Sequence, residues 1–98
     1  MAKYVYVYTG GGMPETPEEG AKVMAAWNEW FGKLGSSVAD IGNPFGQSQS
    51  LSNGATTKAT GYSIVNAGSL DEAVKMARSC PILETAGGNV EVYEALDM

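Results

Sequence analysis

Hydrophobic and polar positions along the chain repeat with two periods, one typical of strands and one typical of helices. Residues 3–9 read Lys-Tyr-Val-Tyr-Val-Tyr-Thr, so a strand here places tyrosines on one face and valines on the other. Segments 37–41, 61–67 and 89–94 predict three further strands. Because neither face of the first strand is polar, we expect this strand to be covered on both sides.

The longer of two predicted helices has clear signals at both ends. Thr16 is the N-cap, Pro17 takes the first helical position and Glu19 completes a capping box. Gly35 is placed to end the helix. Between these signals an apolar stripe repeats every three or four residues and contains Gly20, Val23, Trp27, Trp30, Phe31 and Leu34. The pattern predicts a helix of about 18 residues, roughly 27 Å long.

A shorter helix is predicted after the third strand. Ser69 and Glu72 form a second capping box, and Pro81 stops the helix. Its predicted buried stripe consists of Leu70, Ala73, Val74 and Ala77. The region 45–60, rich in Ser, Gln, Asn, Gly and Thr, contains Asn53-Gly54, a hairpin-turn signal, and predicts a loose hairpin with open boundaries.

The order of elements predicts an α+β fold. Strand, helix, strand, strand, helix, strand (β-α-β-β-α-β) is the ferredoxin-like unit, an antiparallel sheet with both helices on one face. The length of 98 residues suits one domain over 1–98. Whichever face of the first strand meets the helices, the other face is left apolar and bare. Monomers seldom expose so large a patch, so we expect a homodimer with sheets face to face. The alternative is a monomer coated by tyrosines, which tolerate half exposure.

Composition narrows the possible partners and chemistry. The formal net charge is −5 and no Lys/Arg cluster exists, which argues against binding to nucleic acid. The chain has no histidine and a single cysteine, Cys80, so no metal or cofactor is expected and Cys80 is interpreted as structural. The start of the chain lacks a signal-peptide pattern, and no segment has the roughly 18 apolar residues of a membrane span. We therefore expect a cytoplasmic protein that does not enter membranes.

Several short motifs share their order and spacing with a known family. The motifs are Tyr4-Val5-Tyr6-Val7-Tyr8, Gly61-Tyr62-Ser63-Ile64-Val65, Ser69-Leu70-Asp71-Glu72-Ala73, Cys80-Pro81 and Gly87-Gly88-Asn89-Val90-Glu91-Val92. Together they resemble YCII-related proteins, and most closely the branch that includes the DGPF-type proteins. The resemblance spans nearly the whole chain and implies a dimeric α/β barrel made of two ferredoxin-like units.

The same resemblance limits what can be inherited as function. Some relatives carry a His–Asp pair in a cleft that is proposed to be catalytic, and this chain has no histidine to form it. The Asp-Gly-Pro-Phe tetrapeptide is also missing. Asp40 stands where relatives place a polar group near the cleft mouth, and it is the candidate catalytic residue. A solvated carboxylate at a strand end is the alternative, and it is the more common situation for an aspartate.

Four tyrosines are the candidate ligand-binding residues: Tyr4, Tyr6, Tyr62 and Tyr93. Tyrosines offer ring faces to a flat ligand and hydroxyls to orient it, although packing in the core or in a dimer interface also accounts for them. The leading hypothesis is a dimeric domain that binds a small apolar or aromatic molecule in a cleft beside the sheet. The alternatives are an enzyme that uses Asp40 or a tyrosine as proton shuttle on a small organic substrate, and a regulatory protein-interaction module.

Overall fold

The chain forms an antiparallel sheet with two helices. A computed structural model of the protein describes residues 2–10, 16–51, 53–54, 58–85 and 87–96. Within these residues the elements are β1 (Ala2–Thr9), α1 (Pro17–Leu34), β2 (Val38–Asp40), β3 (Ala59–Ala67), α2 (Leu70–Ala77) and β4 (Asn89–Ala95). The strand order is β2-β3-β1-β4, and each neighbouring pair is antiparallel. The predicted α+β ferredoxin-like arrangement is confirmed.

The sheet buries its tyrosine face against both helices. The three tyrosines of β1 are at most 5% exposed. The hydroxyl of Tyr6 donates to the carbonyl oxygen of Ala73 on α2 at 2.5 Å, and its ring stacks on Trp30 of α1 at a centroid distance of 6.0 Å. The ring of Tyr8 meets Trp27 of α1 at 5.0 Å. The sequence left the choice of face open, and the larger, hydrogen-bonding side chains are the ones that fill the core.

The opposite face of the sheet carries no helix within the described residues. In the register of the strands, Val5 lies beside Ile64 and Tyr93, and Val7 lies beside Tyr62. These five residues define what we call the open face. The strand pattern therefore produces an apolar surface on the side away from the helices, as expected for a strand that is apolar on both faces.

The long helix α1 begins and ends where the sequence predicts. The backbone N–H of Glu19 donates to the Thr16 hydroxyl at 3.1 Å, and Gly35 has the positive φ of 55° that favours glycine at a helix end. Trp30 is buried, but Val23, a member of the predicted apolar stripe, is 39% exposed. The first half of α1 stands over a cleft rather than over the sheet. No helix of the described ranges has the length and apolarity to cross a lipid bilayer.

In the short helix α2 the predicted capping box is confirmed, but one residue of the predicted buried stripe is exposed. The N–H of Glu72 donates to the Ser69 hydroxyl at 3.2 Å, and the Glu72 carboxylate accepts from the N–H of Gly68 at 2.9 Å. Leu70 was predicted to be buried and is 49% exposed, so that prediction is wrong. Leu70 lies at the first position of the helix, outside the turns that reach the sheet; Ala73 makes that contact.

The region predicted as a hairpin is a loop in its described part. Residues 45–51, 53–54 and 58 form no strand, while positions 52 and 55–57 lie outside the described residues. Residues 59–60 belong to β3, which pairs on its outer edge with β2 and through an isolated bridge between Pro44 and Gly61. This pairing brings the segment that follows β2 beside the first residues of β3.

Candidate functional site

A cleft of about 340 Å³ lies between the first half of α1 and the β2–β3 edge of the sheet. It is on the helix side of the sheet. Its walls come from α1, from the segment that follows β2, and from the beginning of β3, with Tyr8 of β1 and Ile82 at its inner end. The volume is at the small end of the range of about 300–1,000 Å³ that is typical of ligand sites.

Aromatic side chains form the wall on the α1 side. Trp27 and Phe31 are half-buried, and their ring centroids lie 5.9 Å apart. Trp27 also packs edge-on against Tyr8, with an interplanar angle of 80°. These contacts hold both rings of α1 in place without covering them completely. A ligand that enters the cleft would therefore contact rings whose positions are already fixed.

The inner polar groups of the cleft satisfy each other. The hydroxyl of Tyr8 donates to Ser63 Oγ at 2.8 Å, and Ser63 Oγ donates to the carbonyl oxygen of Ile41 at 2.5 Å. Ser63 is 1% exposed, so an unpaired hydroxyl here would be costly. These two hydrogen bonds link the segment after β2 to the centre of the sheet. They fix the position of the cleft wall that starts at Ile41.

Gly42 shapes the same wall through its backbone. Its φ is +79°, in the region that favours glycine, and a Cβ atom at this position would lie 1.8 Å from the carbonyl oxygen of Tyr62. The N–H of Gly42 donates to Asp40 Oδ1 at 2.9 Å. The wall thus depends on a close approach of two backbones that only glycine permits.

Asp40, the candidate catalytic residue, lies beside the cleft rather than in it. It is exposed, does not belong to the lining, and its carboxylate closes the turn that leads to Gly42. This geometry gives the carboxylate a structural partner. A catalytic role for Asp40 stays a prediction.

The four candidate tyrosines are divided between the two faces of the sheet. Tyr4 and Tyr6 are buried on the helix side, where Tyr6 has no exposed surface. The ring of Tyr62 belongs to the open face and stacks on Phe45 at a centroid distance of 5.7 Å, while its backbone, which Gly42 approaches closely, lies at the β3 edge of the cleft. Tyr93 is 51% exposed on the open face. Their ligand-binding role stays a prediction, and of the four only Tyr62 reaches the cleft.

Sequence reasoning missed most of the residues that line the cleft. Trp27 was interpreted as core because it shares a stripe with Trp30, and Ile41 was interpreted as the end of a strand. One signal for the cleft was present, namely the apolar stripe of α1, which reaches back to Val23 in the first half of the helix. The β2 strand has only three residues, so it leaves the first half of α1 without a partner.

Burial changes the acid–base behaviour of three groups on the helix side. It raises the pKa of Tyr6 to about 12 and that of Cys80 to about 11. It also raises the pKa of Tyr8. Cys80 is 1% exposed. A thiol with a raised pKa and no access to solvent is a poor nucleophile, which supports its structural interpretation.

These shifts predict a loss of stability at high pH. In the unfolded chain the two tyrosines and Cys80 release their protons near their ordinary pKa values of 10.0 and 9.0, whereas the folded chain retains them. The stabilisation is therefore complete below about pH 9 and is lost as the pH rises toward 12. We expect the free energy of unfolding, measured with urea, to be level from pH 7 to 8.5 and to fall from pH 9.5 to 11.5. In Tyr8→Phe the fall should be shallower; an equal slope in both proteins would contradict the account.

Comparison with known proteins does not assign the chain to a protein family. No family model matches it, and no curated protein matches it. The resemblance to YCII-related proteins therefore stays a prediction.

Proposed function

We propose that the protein binds a small apolar or aromatic molecule in the cleft between α1 and β3. The observation that carries this proposal is the exposed apolar surface inside a concave site. Val23 and Met24 line the cleft and are 39% and 63% exposed, whereas Trp27, Trp30 and Phe31 of the same helix are buried or half-buried. A ligand that covers them removes apolar surface from water, which contributes about 25 cal/mol for each Å².

The composition of the lining favours binding over catalysis. The described residues of the lining include no Asp, Glu, Lys or Arg, and its inner hydroxyls on Tyr8 and Ser63 are engaged with each other. A general acid or base has to reach the reacting proton directly or through one water. The cleft offers packing and shape, which are the requirements of a carrier or sensor of a small molecule.

A charge placed in the cleft is expected to abolish most of this binding. Val23→Asp puts a short carboxylate against the apolar lining, whereas Ala25→Asp puts the same charge on an exposed part of α1 outside the lining. A fragment library of small aromatic compounds, screened by ¹H–¹⁵N spectra, should give hits with the wild type and with Ala25→Asp. The hits should weaken about tenfold or more in Val23→Asp, since a carboxylate is costly to desolvate. Equal binding by the two variants, or no hits with the wild type, would contradict the proposal.

We also propose that two copies of the chain pair through the open face. This face is apolar at its centre and carries opposite charges at its two ends. Lys3 precedes Val5 by two residues on β1, and Glu91 pairs with Val7, two residues beyond it. A two-fold axis across the strands at the level of Val5 brings Glu91 of the partner subunit opposite Ala95, the residue of β4 that pairs with Lys3. The face is thus complementary to itself, as an isologous dimer requires.

Sedimentation velocity is expected to give a particle of twice the 10.2 kDa chain mass at micromolar concentration. Ile64→Lys, at the centre of the open face, should give the monomer because it buries an uncompensated charge in the interface. Leu83→Lys is the matched control, since Leu83 is 44% exposed and lies in the 3₁₀ turn at Pro81–Glu84, away from the open face. A wild-type monomer at 100 µM would overturn this pairing and leave the cleft proposal standing.

A further inference from the structure

The cleft carries at its mouth two amide side chains beside exposed apolar ones such as Met24, which is 63% exposed. Burial orders its residues: Tyr8 and Ile82 are 5% and 6% exposed at the inner end, and Trp27 is half-buried along the wall. Asn28 of α1 and Asn43 of the segment after β2 are exposed. A ligand in this cleft therefore meets rings and aliphatic groups first along its depth, and amides only where it emerges.

The two amides stand on different walls of the mouth. Asn28 comes from α1, one residue after Trp27, and Asn43 is fixed by its backbone carbonyl, which accepts from the N–H of Tyr62 at 3.3 Å. Within the described parts of the chain no hydrogen bond engages either side-chain amide. Each amide offers both donors and acceptors without a charge. The mouth can therefore hold a neutral polar group from two sides.

The depth of the cleft disfavours ionic ligands of either sign, because its described lining offers them no opposite charge. Among the lining residues that the structure describes, the Tyr8 phenol is the one ionisable side chain on the helix side of the sheet, so a buried carboxylate or ammonium of a ligand would have no counter-charge there. The net charge of −5 adds a repulsion for anions at longer range. A neutral ligand meets neither penalty.

The size and the rings favour a flat molecule of two rings. An apolar cavity of about 150 Å³ accommodates one benzene ring, and this cleft has about 340 Å³. Trp27 and Phe31 present aromatic surface along it, and aromatic pairs in offset or edge-on geometry gain stability beyond that of the area they bury. A saturated ring of the same size lacks this gain.

We infer that the ligand is an uncharged aromatic molecule of two fused rings that carries one amide, carbonyl or hydroxyl group. Its rings lie against Trp27 and Phe31, and its polar group is held at the mouth by Asn28 and Asn43. This inference rests on the proposed function and adds the ligand's charge, flatness and orientation.

Three compounds that share a skeleton of two fused six-membered rings test the inference. They are 2-naphthamide, 2-naphthoate and decahydro-2-naphthamide, titrated against ¹⁵N-labelled protein while the indole N–H signals are followed. The signal of Trp27 should move, and that of Trp30 should move less because its N–H donates to the carbonyl oxygen of Met76 at 3.2 Å. We expect 2-naphthamide to bind about tenfold more tightly than 2-naphthoate and about fivefold more tightly than the saturated amide.

Variants at the mouth test the orientation. Asn28→Ala and Asn43→Ala should each weaken 2-naphthamide about two- to fivefold and leave the affinity for naphthalene unchanged, since naphthalene has no polar group to hold. Asn53→Ala, in the exposed loop, is the matched control and should change neither affinity.

The outcomes separate this inference from the proposed function. Equal or tighter binding of 2-naphthoate overturns the exclusion of charge, and equal binding of the saturated amide overturns the preference for flat rings; both leave the cleft as a binding site. Unchanged affinity for 2-naphthamide in both asparagine variants overturns the orientation. Absence of any signal change with all compounds overturns the proposed function as well.

Discussion

Tyr6→Ala is expected to lower the free energy of unfolding by about 4 kcal/mol, enough to unfold much of a domain of this size. Tyr6 has no exposed surface, its ring stacks on Trp30, and its hydroxyl donates to Ala73. Removal of the ring leaves a cavity between the sheet and both helices. It also leaves the carbonyl oxygen of Ala73 without the side-chain donor that now reaches it.

Urea unfolding followed by far-UV circular dichroism measures the effect. The matched control is Tyr6→Phe, which retains the ring and loses only the hydroxyl; we expect a loss of about 1–2 kcal/mol. The difference between the two variants isolates the contribution of the buried ring. A loss below 1 kcal/mol for Tyr6→Ala would mean that the tyrosine face does not form the core.

Gly42→Ala is expected to cost about 3 kcal/mol and to deform the cleft. A methyl group cannot occupy a point 1.8 Å from the carbonyl oxygen of Tyr62, so the segment after β2 has to move away from β3. Its movement breaks the bond from Gly42 to Asp40 and strains the bond from Ser63 to Ile41. Each lost hydrogen bond contributes about 1 kcal/mol, and a positive φ for alanine costs a further 1–2 kcal/mol.

Two other glycines separate the causes of this loss. Gly35 also has a positive φ but has open space around it, so Gly35→Ala should cost only the conformational strain. Gly32 lies in α1 with nothing within 4 Å, and Gly32→Ala should stabilise the protein by about 0.5–1 kcal/mol. If Gly42→Ala costs no more than Gly35→Ala, the close approach to β3 does not hold the cleft wall.

The sequence predicts those parts of the fold that depend on neighbouring residues. The caps at Thr16 and Ser69 are local hydrogen bonds between residues three apart, and both form as expected. The alternation of Tyr and Val in β1 is a local property as well. The order of strands and helices then follows from connection rules that admit few topologies.

The candidate site could be predicted only in outline. A cleft beside the sheet was expected, but its lining depends on contacts between distant parts of the chain, such as Ser63 with Ile41. Tyr4 and Tyr93 lie on opposite faces because Tyr93 pairs with Val5 and not with Tyr4. Alternation within each strand does not reveal how β1 and β4 align. Tyr62 and Tyr6 were therefore grouped as one site although they lie on opposite sides of the sheet.

A crystal structure of the protein grown with 2-naphthamide tests the binding site most directly. The account predicts electron density for the two rings beside Trp27 and Phe31, with the amide of the compound toward Asn28 and Asn43. Density for the compound only at other places, or an indole of Trp27 turned inward to fill the space itself, would contradict the assignment of this cleft as a site for small molecules.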